Sequence, residues 1–197
     1  MRRPLAAAAL CAALIVLAAC QSSQDPALDS GGSTTTTAAA DGSGGSTTTV
    51  ASGFGVSEVS VPPAKKGLLT AVRAAHQGGF DRVVFEFEGA VPGYGVKYVD
   101  RPVIEDGSGK TVDVQGDSVL QVRMEPAAGA DLAGAKLRQT YTGPNRIAPG
   151  TPAVTELVRT GDFEAVLTWV IGLKGRPGFR VNTLTGPPRL VIEVAAP

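Results

Sequence analysis

Ten residues, Phe80 to Gly89 (FDRVVFEFEG), alternate apolar and polar side chains with a period of two. Val83, Phe85 and Phe87 fall on one side, Glu86 and Glu88 on the other. A helix would scatter these side chains around its surface, whereas an extended strand sorts them onto two faces. The stretch therefore predicts a half-buried strand of an antiparallel sheet. Val119 to Arg123 (VLQVR) and Arg189 to Val194 (RLVIEV) are also β-rich, and Asp106-Gly107-Ser108-Gly109 and Arg176-Pro177-Gly178 supply turn chemistry between strands. Leu68 to His76 (LLTAVRAAH) is ambiguous, because its alanines suit a helix. Leu132 to Gln139 is the other plausible helical stretch, and it is short. The pattern predicts an all-β domain with little helix, a sandwich or a barrel.

The chain also echoes itself. FDRVVFEFEG aligns with FEAVLTWVIG (Phe163 to Gly172), and PGYGVKYVDRP (Pro92 to Pro102) aligns with PGFRVNTLTGP (Pro177 to Pro187). Two related strand-turn-strand units follow, and two such units could pack face to face as an antiparallel β-sandwich. In that alignment Val166, Thr168 and Val170 take the inward parity of Val83, Phe85 and Phe87. Leu167, Trp169 and Ile171 then fall where the first unit is polar. This stripe is either covered by other chain, from residues 54–64 or 126–152, or is an exposed partner site. If open, Trp169 belongs to a ligand surface.

The first twenty residues are of a different kind. Arg2 and Arg3 precede an uncharged run, Leu5 to Ala19, too short for a membrane span of ~20 residues and suited to a signal peptide. The run ends in Leu17-Ala18-Ala19-Cys20, which resembles the lipobox of bacterial lipoproteins. That resemblance implies cleavage before Cys20 and a diacylglycerol thioether on its sulfur. With Cys11 lost in residues 1–19 and Cys20 lipidated, no pair of cysteines remains for a disulfide. Of the 33 residues from 21 to 53, 25 are Ser, Thr, Gly or Ala, with no aromatic residue among them. Such a segment cannot bury enough apolar surface to offset its ordering entropy, so a disordered tether over 20–53 is expected. Its r.m.s. span would be roughly 30 Å. Residues 54–197 then form the domain, long enough to bury a core without staples.

The 18 basic and 18 acidic side chains cancel. No basic stripe is present to displace counterions, so nucleic acid is not an expected partner. Catalytic chemistry is thinly supplied. His76 is the sole histidine, which argues against a hydrolytic zinc site or a Ser-His-acid triad, and it reads as a polar strand terminus. Gly107-Ser108-Gly109-Lys110-Thr111 mimics the end of a phosphate loop, but Ile104 stands where that motif needs its first glycine. Glu86 and Glu88 lie two apart on one strand face, whereas a glycosidase pair must flank a cleft. No catalytic residue, metal or cofactor is expected.

Binding chemistry is better represented. Glycan sites set aromatic faces against sugar rings, with amides, Arg and carboxylates on the hydroxyls. Tyr94 and Tyr98 share one parity of a strand, and Tyr141, Asn145 and Arg146 lie in a Gly-Pro-rich segment with the character of a surface loop. With Trp169, these are the candidate ligand-binding residues.

LTAVRAAHQGGFDRVVFEFEG (Leu69 to Gly89), PGYGVKYV, YTGPNRIAP (Tyr141 to Pro149), GDFEAVLTWVIGL (Gly161 to Leu173) and PPRLVIEV (Pro187 to Val194) together resemble the AMIN-like domain of actinobacterial lipoproteins. That family is related to the AMIN domains found beside cell-wall amidases, β-sandwiches that bind peptidoglycan. The resemblance implies a non-catalytic binding module on the extracytoplasmic face of the cell membrane. It would be held there by the lipid at Cys20, with peptidoglycan or another wall glycan as ligand. The alternative is a protein-interaction module that recruits or regulates an envelope enzyme.

Overall fold

The computed structural model describes residues 53–197; the expected signal peptide, Cys20 and the expected tether up to residue 52 lie outside the described residues. The described residues form fifteen strands in the order β1 (Val59–Val61), β2 (Gly67–His76), β3 (Phe80–Gly89), β4 (Gly93–Val99), β5 (Val103–Ile104), β6 (Thr111–Val112), β7 (Ser118–Glu125), β8 (Ala127–Ala128), β9 (Ala130–Asp131), β10 (Arg138–Gln139), β11 (Arg146–Ile147), β12 (Val154–Phe163), β13 (Val166–Leu173), β14 (Phe179–Leu184) and β15 (Arg189–Ala195). Among the described residues there is no helix.

Two sheets make the sandwich. One has six strands in the order β1-β4-β7-β13-β12-β11, all antiparallel. The other has five, β14-β15-β3-β2-β8, antiparallel except for the short β2–β8 pair. Their inner faces meet in one apolar core. β3 sends Val83, Phe85 and Phe87 into it, as the alternation predicts, while Glu86 and Glu88 stay on the outer face. The Phe85 ring meets Trp169 of β13 from the opposite sheet in an edge-on contact, with centroids 6.0 Å apart. Such contacts add about 1 kcal/mol beyond the area they bury.

Two stretches with helical character are extended instead. Leu68 to His76 lies within β2, where nine residues pair with β3; an isolated helix that short is marginal in water, and the ladder and core contacts of Leu69, Val72 and Ala74 override the alanines. Residues 132–139 form the loop and second strand of the β9–β10 hairpin.

Both aligned stretches form strands, but their arrangement differs from two units each forming a sheet. β3 belongs to the five-stranded sheet and β4 to the six-stranded one; in the second unit β13 belongs to the six-stranded sheet and β14 to the five-stranded one. Each unit therefore crosses the sandwich, in opposite senses. The parity expected for β13 is also inverted. Leu167, Trp169 and Ile171 face the core, covered by the other sheet and by Tyr141 from the 126–152 segment. Val170 faces outward into a second apolar cluster with Val103, Val114, Val119 and Val158. Both faces of β13 are buried, so alternation could not identify the inner one, and a one-residue shift exchanges every side chain between faces.

That second cluster sits beneath the β5–β6 hairpin, which folds over half of the outer face of the six-stranded sheet. Its turn places Gly107 at φ +84° and Gly109 at φ +70°, backbone that side chains other than glycine resist. Asp106 fastens the hairpin: its N–H donates to Thr160 O at 2.8 Å, and its Oδ2 accepts from Thr168 Oγ1 at 2.6 Å. The other half of that face, over β1, β4 and β7, is left open.

Candidate functional site

The open half holds a trough of about 260 Å³. Its origin is legible strand by strand. Ser60 of β1 stands opposite Gly95 of β4, which stands opposite Arg123 of β7. Two residues along each strand, the same face carries Glu58, Lys97 and Gln121 in one direction and Pro62, Gly93 and Glu125 in the other, by the period of two. The middle strand thus offers glycine at two successive outward positions, and the neighbours on either side form a polar rim. Gly93 is also a close approach: a Cβ there would lie 2.5 Å from Pro62 O and 2.6 Å from Pro63 Cα. At Gly95 a Cβ would meet only Glu58 Oε1, at 3.9 Å, so the Glu58 carboxylate leans over the floor.

The rim carries two cations and two anions. Arg123 pairs with Glu125 at 2.7 Å. Lys97 and Glu58 take part in no ion pair among the described residues. Beneath the floor, Tyr94 points into the core and is 5% exposed. Burial pushes its hydroxyl pKa up, so the ring is a neutral underlayer.

The residues expected to bind ligand do not gather here. Tyr94 borders the trough but gives it no aromatic face. Tyr98 donates its hydroxyl to Pro177 O and packs edge-on against Phe179 at 5.9 Å, with the Arg176 guanidinium 4.1 Å above its ring; burial raises its pKa as well. Tyr141 is enclosed, donating its hydroxyl to Pro144 O at 2.7 Å and meeting Trp169 at 90° and 5.7 Å. Arg146 is a structural brace, bonded to the buried Glu156 at 2.5 Å and donating to Asp113 O at 2.9 Å. Asn145 lines a separate polar hollow of about 200 Å³ with Asp106, Arg159, Asp162 and Phe163. Trp169 is 0% exposed; enclosed by the protein's own segments, it leaves the list of residues that can touch a ligand. An aromatic residue in a sandwich is more often an anchor than a platform, and four of the six are anchors here.

The trough residues Glu58, Lys97, Gln121, Arg123 and Glu125 carried a signal of their own. In GYGVKYV the parity opposite to the tyrosines reads Gly93, Gly95, Lys97 and Val99. In SVLQVRME the same holds for Gln121, Arg123 and Glu125.

Elsewhere several ionisable groups are committed to structure. His76 Nδ1 lies 2.8 Å from Asp81 Oδ1, and Asp81 Oδ2 accepts the N–H groups of Ala153 and Val154 at 2.7 and 2.9 Å. Glu86 pairs with Arg73, and Glu88 takes both arms of Arg138 at 2.9 and 3.0 Å. Among the described residues, no group of three or more His, Cys, Asp or Glu is placed to hold a metal ion.

No curated protein and no solved structure matches the chain. A model of the AMIN-like domain matches residues 67–196, a span that takes in every strand of the sandwich from β2 to β15. The chain belongs to the AMIN-like domain family.

Proposed function

We propose that this protein is an exported, lipid-anchored, non-catalytic binding module of the cell envelope, held at the membrane through Cys20 and engaging cell-wall peptidoglycan with the trough over β1, β4 and β7. AMIN-like domains are envelope-associated binding modules rather than enzymes, and the leader ending in Leu17-Ala18-Ala19-Cys20 fits export and acylation. The observation that carries the reading is the trough itself: an open glycine, Gly95, that lets a ligand lie close to the backbone, ringed by amide, hydroxyl and charged side chains. The Ser/Thr/Gly/Ala-rich composition of residues 21–53, expected to be a flexible tether, suits a domain that samples the wall while a lipid on Cys20 stays in the bilayer.

The test is sedimentation of the detergent-purified full-length protein with protein-free sacculi. Retention that Gly95→Leu abolishes supports the reading; no retention of the wild-type protein overturns it. Metabolic labelling with palmitate, present in the wild type and lost in Cys20→Ala, checks the anchor.

A protein-interaction role is favoured by a different feature. Leu132 and Leu137, 74% and 65% exposed, project from the loop of the β9–β10 hairpin. Apolar side chains held in water on one short loop suit capture by an envelope protein. Under that reading Leu132→Ser with Leu137→Ser leaves sacculus retention intact and removes a protein from crosslinked envelopes.

A further inference from the structure

The trough contains an ion pair that its own geometry leaves unmade. Because Ser60 faces Gly95 in antiparallel register, Glu58 and Lys97 stand opposite each other on the outer face of the β1–β4 pair. Opposite charges so placed ordinarily attract across the strands. Here they do not join within ion-pair distance. The Glu58 carboxylate is turned over Gly95, with Oε1 3.9 Å from where a Cβ would stand. Arg123 and Glu125, on the other wall, satisfy one another. The trough therefore presents one anion and one cation outside any ion pair among the described residues, Glu58 on the β1 wall and Lys97 on the floor strand β4, with Ser60 of β1 and Gln121 of β7 as neutral hydrogen-bonding groups on either side.

We infer that the trough recognises a zwitterionic segment of a wall stem peptide, taking its side-chain ammonium on Glu58 and its carboxylate on Lys97. The inference rests on the wall-binding reading above and narrows it from the glycan to the peptide. Three features exclude the other wall chemistries at this site. A sugar ring asks for an open aromatic face, and Tyr94, the trough's one aromatic residue, is buried beneath the floor. A phosphate polymer asks for an excess of cations, and the rim charges balance. The volume of about 260 Å³ suits a short polar segment and not an extended chain.

Calorimetric titration of the full-length protein with a short synthetic stem peptide carrying one side-chain ammonium and a free terminal carboxylate tests this directly. The parent peptide is expected to bind, and both its side-chain-acetylated and its C-terminally amidated forms to bind about tenfold more weakly. Glu58→Gln should erase the penalty for acetylation and keep that for amidation, while Lys97→Met should do the reverse. This exchange of specificities is a result that a merely destabilised protein would not give. Equal binding of the three peptides, or binding of none, overturns the inference. The broader reading is scored separately: equal retention on intact sacculi and on sacculi stripped of stem peptides by an amidase would keep wall binding and remove the peptide from it.

Discussion

Asp81 holds His76 on one carboxylate oxygen, at 2.8 Å, and the start of β12 on the other, through the N–H groups of Ala153 and Val154. It shares the inward parity of Val83, Phe85 and Phe87, so a lone carboxylate closes one end of an apolar face and ties the β2–β3 hairpin to the opposite sheet. Burial alone would raise its pKa; the hydrogen bonds from His76, Val154, Thr151 and Ala153 outweigh that and hold it below the ordinary Asp value. A carboxyl whose folded pKa is depressed contributes stability above its unfolded pKa, about 3.9, and loses it as pH falls through the folded value. Wild type is therefore expected to lose stability progressively below about pH 5, and Asp81→Asn to show a shallower acid limb. Asp81→Ala strands two buried N–H groups and should cost about 3 kcal/mol at pH 7. Urea midpoints at neutral and acid pH check both; an unchanged acid limb in Asp81→Asn would remove Asp81 from the account.

Glu193 is the second buried carboxylate with a clear structural task. Arg82 donates to its Oε1 at 3.0 and 2.6 Å, and Arg180 donates to Oε2. The Arg180 guanidinium in turn lies 4.6 Å from the Phe54 ring centroid and 5.3 Å from that of Phe80. One anion therefore positions the cation that holds the residues before β1 against the five-stranded sheet. Burial works to raise the Glu193 pKa, and the hydrogen bonds and charges of the two arginines bring it below the ordinary value. Glu193→Ala leaves two partly solvated guanidiniums without their anion, and the cost should be about 2 kcal/mol, below that of breaking a fully buried pair. The measurement is the shift in free energy of urea unfolding at neutral pH, and a shift within about 0.5 kcal/mol of zero would show the cluster to be a surface decoration.

Trp169 is the only tryptophan, which makes its burial easy to read. Its emission should be blue-shifted, resistant to acrylamide, and unmoved by any ligand that occupies the trough. Trp169→Ala should cost about 4 kcal/mol. Its Nε1 has no hydrogen-bond partner among the described residues. Trp169→Phe removes that unsatisfied donor along with some volume, so its cost should be only about 1 kcal/mol. Efficient quenching in the native protein would contradict the enclosed position.

What the sequence disclosed and what it hid divide along one physical line. β3 was legible because one of its faces is wet, so Val83, Phe85 and Phe87 contrast with Glu86 and Glu88. β13 was misread in parity because Leu167, Trp169 and Ile171 are buried by one layer and Val170 by another, leaving no contrast to detect. β2 was ambiguous because its pairing with β3 is a non-local contact that alanine content does not record. Tyr98 and Tyr141 have the chemistry of binding residues, yet their hydroxyls serve backbone carbonyls at Pro177 and Pro144. The trough stayed hidden since it consists of what β4 lacks: Gly95 becomes a cavity, and Gly93 a close approach to Pro62 and Pro63, only when β1 and β7 flank them, and that register is set by the whole sheet.

Those two glycines separate shape from stability, and so give the sharpest mutational contrast. A Cβ at Gly95 meets only the far end of Glu58 at an ordinary contact distance, and its backbone is not in the left-handed region. Gly95→Ala should therefore be neutral or stabilising by up to about 1 kcal/mol, since glycine within a strand costs conformational entropy. At Gly93 the same atom would press within 2.6 Å of backbone at Pro62 and Pro63, which cannot rotate away. Gly93→Ala should cost about 2 kcal/mol through displacement of β1. Gly95→Leu extends the contrast by filling the trough while leaving the ladder intact, so thermal unfolding should stay near wild type as sacculus retention falls about tenfold or more. If Gly95→Leu folds normally and sediments with the wall as the wild type does, the ligand lies on another face of the sandwich.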